Sequence, residues 1–347
     1  MWAIENQTPF AAERTFVRDR DGSEIWLVAV RATFDIFPDG ILRISKKQDP
    51  VALAPIYLGK PGKSSLRCDS DLPRTKLGTD VLINGAAWVP GGAERSEIEV
   101  GFRVGDLQKK LLVSGEQVWE KSLGFTVPGP PQPFSRMPIT YERAFGGPTT
   151  DKTSSSFDPY SDNNPFGVGI DMAPGSPLPN VRYPGTRTEK PPLNRPVAGF
   201  GPVGCSWTPR RHLAGTYDDK WQNERQPLLP DDFNDEFFYS APPDQQVPGF
   251  LRGGERVELT NLTPQGSLRF HLPKLAFGFR TSISGGVEHH RANLHTVLIE
   301  PDQNRLIMVW HSAMPCHHAL YTLKRTVVFQ KTNLASDEDD EQEAAAA

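Results

Sequence analysis

The chain has 347 residues, 37% of them hydrophobic, with three cysteines and a formal charge of −4. That length buries a core without staples, and the wide, unpatterned spacing of Cys68, Cys205 and Cys316 argues against a disulfide framework, so a reducing, cytoplasmic setting is expected. No run approaches the ~18 apolar residues of a membrane span; the final stretch SDEDDEQEAAAA carries six acids and no base, which leaves a nearly neutral body without a basic field for nucleic acid.

Residues 24–37, EIWLVAVRATFDIF, set Trp26, Val28, Val30, Ala32, Phe34 and Ile36 at a period of two and predict a long, core-facing strand. DVLINGAAWV (80–89), EIEVGFRVG (97–105) and KKLLVSGEQVWE (109–120) predict further strands, with Ser114-Gly115 as a turn. No stretch holds a helical period over ten residues. Short strands at this spacing predict a mainly β fold, an antiparallel sandwich or barrel-like sheets with little helix.

From 128 to 250 the texture changes, because this region holds 22 of the 33 prolines. Proline lacks the ladder N–H, so no central sheet or long helix can run through GPPQPFSRMP or EKPPLNRP. Aromatic residues such as Phe145, Phe157, Tyr160, Phe166, Trp207, Trp221 and Phe237 are scattered through it, where a disordered linker would lack them. The expectation is an ordered, loop-dominated insertion held on the sheets by aromatic anchors, with one short helix near 230–238 capped by Asp231 or Asp232.

Strands return at 255–263, 267–273, 274–281, 293–300 and 305–312, the last two joined as a hairpin by PDQN. The chain therefore divides into an N-terminal β region (1–127), the insertion (128–250), a C-terminal β region completing the same fold (251–332) and an acidic tail (333–347) expected to be disordered.

Residues 288–318 hold six of the eight histidines. His295 and His311 fall on facing strands of the predicted hairpin, but nothing has the H-E-x-x-H or C-x-x-C spacing that gathers ligands locally. The expectation is no metal and no cofactor, with His295, His311 and His317 as the alternative ligand set. LGKPGKSS (58–65) imitates a phosphate loop but has Tyr57 where the pattern needs its first glycine. Asp218, Asp219, Asp231, Asp232, Asp235 and Glu236 are numerous enough for a glycosidase-like carboxylate pair, with a spacing the sequence does not fix. No G-x-S-x-G elbow occurs.

Six segments together carry a resemblance: NQTPFAAERTFVRDRDGSEIWLVAVRATFDI (6–36), SSLRCDSDLPRTKLGTDVLINGAAW (64–88), YERAFGG (141–147), AGFGPVGCSWTPRRHLAGTYDDKW (198–221), RQPLLPDDFNDEFFYSAPPDQ (225–245) and LRGGERVELTNLTPQG (251–266). From about residue 6 to 330 the chain resembles a bacterial uncharacterised-domain family encoded beside type VI secretion spike (VgrG), PAAR and toxin genes and regarded as effector adaptors or chaperones. The resemblance implies a non-enzymatic protein that binds a secreted toxin effector, and with it the VgrG or PAAR spike, and brings no catalytic residues. A hydrolase using the acids or histidines and a structural component of the spike stand as alternatives. Arg143, Phe145, Arg210, Arg211, Tyr217, Asp218 and Trp221 are the candidate protein-binding residues, since loops rich in Trp, Tyr and Arg carry binding hot spots. The competing reading is that YERAFGG and AGTYDDKW clamp the insertion to the sheets. The two arginines are expected to face outward, and Trp207 and Trp221 inward, because adjacent arginines are rarely both buried.

Overall fold

The computed structural model describes residues 2–147, 163–170, 172–186 and 197–331. The acidic tail, together with Phe157 and Tyr160, lies outside the described residues. Within them the fold is mainly β, built of open and mostly antiparallel sheets, so the barrel-like alternative falls away. No described helix is long and apolar enough to cross a membrane.

The largest sheet runs in the order Gln246–Pro248, Gly78–Ile83, Asn293–Glu300, Arg305–Pro315, Glu24–Ile36, Ala11–Arg18, with Leu42–Ile44 paired to the end of Glu24–Ile36. A five-stranded sheet follows the order Val181–Arg182, Leu107–Ser114, Glu97–Val104, Arg256–Thr260, Ser267–His271. A four-stranded sheet orders Ala3–Asn6, Arg325–Gln330, Phe277–Ile283, Gly286–Arg291. Strands from both ends of the chain thus share the same sheets, and the insertion adds an edge strand to two of them. Pro248 sits on such an edge, where its missing N–H breaks no inner ladder.

The even-numbered side chains of Glu24–Ile36 enter one core with Val100, Phe102, Leu259 and Phe270 of the five-stranded sheet and Phe279 of the four-stranded one. Two open sheets facing each other across such a layer make the sandwich expected from the alternation. The odd positions Ile25, Leu27 and Ala29 are buried as well, in a second core with Leu82, Leu298, Ile307, Val309 and the loop residues Val51, Ala52 and Leu72. This strand is buried at both parities, as a strand covered on both faces is, with Arg31 on the second face neutralised by buried Asp71 at 2.7 Å. The second cover consists of the segment around 45–77 and the insertion.

Several predicted elements shift. DVLINGAAWV divides at Asn84-Gly85 into Gly78–Ile83 and Ala86–Trp88, which join different sheets. The turn near 230–238 is a single 3-10 turn, Asp235–Phe238, capped by Asn234. Asp232 instead accepts from the backbone N–H and hydroxyl of Thr216, and Asp231 pairs with Arg225 at 3.0 Å, so neither is the cap. The two α-helical segments, Thr208–Arg211 and Asp219–Glu224, are too short to show a period. The PDQN hairpin turn forms as Pro301–Gln303, closed by Asn304 in the left-handed region at φ 51°.

Candidate functional site

A small set of side chains ties the insertion to itself and to the N-terminal region. Tyr141 and Phe166 meet the ring of Trp207 edge-on at 5.1 and 5.4 Å, and the Tyr141 hydroxyl donates to Gly201 O at 2.7 Å. Glu142 accepts from the backbone N–H and hydroxyl of Ser65, both at 2.6 Å. Those bonds hold its carboxyl below the usual range against the opposing effect of burial. Arg143 donates to Glu116 and Asn180 at 2.6 and 3.0 Å, and half-buried Phe145 starts a two-residue strand beside Val168. Gly146 follows at φ 148°, and a Cβ there would collide with Asn164 O. YERAFGG thus supplies internal fastening, as the clamp reading has it.

Arg210 and Arg211 part company. Arg210 is 6% exposed; it pairs with Asp69 at 2.7 Å, donates to Val203 O and Phe237 O, and lies over the Phe237 ring. The expectation that it faces outward is therefore corrected: the helical turn that exposes Arg211 aims its neighbour inward, at Asp69 and the 237 turn. Asp218 caps Asp219–Glu224 by accepting from Trp221 N at 2.8 Å, which accounts for it structurally. Trp221 is half-buried, donates to Leu228 O and receives Tyr217 edge-on at 4.7 Å. Tyr217 is 53% exposed. Of the predicted contact residues, Arg211, Tyr217 and Asp218 are exposed, Arg143, Phe145 and Trp221 are half-buried, and Arg210 is buried.

A second surface feature was not foreseen. Among the described strands Trp119–Ser122 and Phe125–Pro128 pair only with each other, forming a hairpin that is a sheet of its own. Its base is held by buried Trp119, which exchanges backbone bonds with Gly175 and Ser176. Its tip is a two-residue turn, Leu123-Gly124, with φ of 50° and 85°, the pattern of a type I′ turn. Such a turn favours Asn-Gly, and a leucine there carries a penalty of roughly 1–2 kcal/mol. Leu123 is nevertheless 96% exposed and Phe125 73%, with Val127 beside them also exposed, so burial offsets nothing. The only sequence signal was S-L-G-F inside an otherwise short strand pattern.

The histidines divide similarly. His295 occupies a bulge in Asn293–Glu300 and stacks on His311 with ring centroids 4.6 Å apart, both buried, while Phe250 covers the other face of His295 at 5.4 Å. Among the described residues their Nδ1 and Nε2 atoms, respectively, have no hydrogen-bond partner. Burial, with the neighbouring Lys76 ammonium, holds His311 down to about 3; burial, then His311 and Lys76, pushes His295 well below its ordinary value. Lys76 pairs with buried Asp80 at 2.6 Å. His317 lies apart on an exposed turn, next to His318, both with left-handed backbone. Among the described residues no group of three or more His, Cys, Asp or Glu is placed to hold a metal ion. Of the acids considered for hydrolysis, Asp218 is a helix cap, Asp232 accepts from Thr216, and Asp231 and Asp235 pair with arginines.

A family model described as "Uncharacterized protein conserved in bacteria (DUF2169)" matches residues 21–311. Neither curated proteins nor solved structures gave a significant match.

Proposed function

This chain belongs to the bacterial DUF2169 family, and from that premise we propose that it is a non-enzymatic adaptor that holds a secreted toxin effector and delivers it to a VgrG or PAAR spike of a type VI secretion system. The type VI context comes from the six resembling segments. Support for a protein-binding role comes from one observation above all: the hairpin tip, where Leu123 takes an unfavourable turn conformation while almost wholly exposed and next to Phe125. Neither folding nor solubility gains from that choice, whereas a contact does, since strained residues in exposed turns mark functional positions. Exposed Tyr217, packed on half-buried Trp221, adds a second patch with hot-spot chemistry.

Co-expression with the products of adjacent spike and toxin genes tests the reading. A stoichiometric complex with a toxin is expected, and Leu123→Asn/Phe125→Ser should weaken it by at least about tenfold, the equivalent of ~1.4 kcal/mol. Failure of every neighbouring product to co-purify, or full retention by the double variant, would remove the basis for the proposal.

A further inference from the structure

Where the insertion meets the N-terminal region, the loops leave a cavity of about 220 Å³. Its walls come from three separate segments: the stretch between Pro55 and Asp69, Pro165 with Phe166, and Gly204 to Trp207. The volume is below the ~300 Å³ at which drug-sized pockets begin, so it suits one ring and its adjoining peptide group. Trp207 is 4% exposed, and its ring is fixed by the edge-on contacts of Tyr141 and Phe166. Its Nε1 edge lies against Gly204, also on the wall, where a Cβ would stand 2.7 Å from that nitrogen. Among the described residues the indole N–H donates to nothing, although a buried tryptophan usually finds an acceptor. Nor is this N–H sealed in the core, as the unpartnered Trp119 Nε1 is.

The charge in the wall is already neutralised: Asp69 is bound by Arg210 at 2.7 Å. A ligand here therefore needs an apolar ring, a carbonyl acceptor and no charge. Aromatic and proline walls with an indole donor form the chemistry that receives a proline ring while a peptide carbonyl accepts from the tryptophan. We propose that this cavity is a recognition slot for an extended, uncharged, proline-bearing peptide segment, with Trp207 Nε1 donating to the carbonyl next to the proline. The slot is separate from the hairpin tip, and its ligand chemistry does not require the partner to be a toxin.

Cys205 provides the test, because it lines the cavity and is the exposed cysteine, whereas Cys68 and Cys316 are buried. A blocked proline decamer is titrated into the full-length protein while the indole ¹⁵N–H resonances are followed; a blocked Gly-Ser decamer and a blocked poly-Asp decamer serve as comparison probes. The proline peptide is expected to bind at least about tenfold more tightly than either, moving the resonance that Trp207→Phe removes. Reaction of Cys205 with N-ethylmaleimide should abolish the shift, and Cys205→Ala should bind with or without the reagent. Equal binding of the three peptides, unchanged binding after the maleimide, or a Trp207→Phe variant that melts normally and binds as before would each overturn the proposal. Should Trp207→Phe fail to fold, the maleimide arm decides alone.

Discussion

The imidazoles of His295 and His311 stack at an interplanar angle of 26° beneath Phe250, on adjacent strands of the large sheet. Two basic rings in contact, with the Lys76 ammonium near both, admit no additional positive charge, so both are neutral in the fold.

That neutrality sets a pH dependence. Together with His290, held down to about 4 by burial and then by His289, these rings refuse protons that the unfolded chain accepts near 6.5. Their contribution to stability is complete above pH 6.5 and falls as pH drops toward 4, by up to about 1.4 kcal/mol per pH unit for each ring. Denaturant melts at pH 7.5, 6, 5 and 4.5 should show the decline. In His295→Leu/His311→Leu the slope should be visibly shallower; an unchanged slope would mean that the pair is not its source.

Arg210→Ala should lower folding stability by about 3 kcal/mol, since it leaves Asp69 and two carbonyls without their donor. Arg211→Ala should stay within about 0.5 kcal/mol, as exposed substitutions do. Urea titration of the two variants side by side decides it. Equal effects would contradict the division between the two arginines.

At the hairpin tip, Leu123→Asn should raise stability by about 0.5–1 kcal/mol, because asparagine tolerates the left-handed region far better than leucine. Protein stability and partner binding should then move in opposite directions. A lower melting temperature in this variant would show that Leu123 is anchored by contacts at the tip.

Gly146→Ala should destabilise by about 1–3 kcal/mol, the range for a side chain forced into an unsuitable backbone region, and here against Asn164 O. Limited proteolysis should cut the variant within the insertion before the sheets. Identical digestion of the two proteins would separate YERAFGG from the fastening role assigned to it.

Sequence pattern reached the sandwich because alternation in EIEVGFRV and the apolar run of Glu24–Ile36 register burial directly. It did not reach Gly286–Arg291, whose side chains are almost all exposed and so carry no alternation. Nor did it separate Arg210 from Arg211: one residue of helical rotation decides which guanidinium turns inward, and a four-residue helix leaves no period to read. His295 and His311 were placed on facing strands correctly, but their depth depends on Phe250, which returns from the far end of the insertion. The cavity beside Trp207 is a product of three distant segments and has no local signature.

The order of strands in the large sheet has a consequence for synthesis. Glu24–Ile36 emerges early from the ribosome, yet its inner neighbour is Arg305–Pro315, and Gly78–Ile83 likewise waits for Asn293–Glu300. Until residues 37–304 have been translated, a strand buried on both faces has only Ala11–Arg18 along its length and the short Leu42–Ile44 at its end beside it, a state prone to wrong pairing. Nascent chains halted before residue 293 should therefore be insoluble or bound to folding factors, and closure of the sheet should be slow, as it is wherever distant segments must find each other.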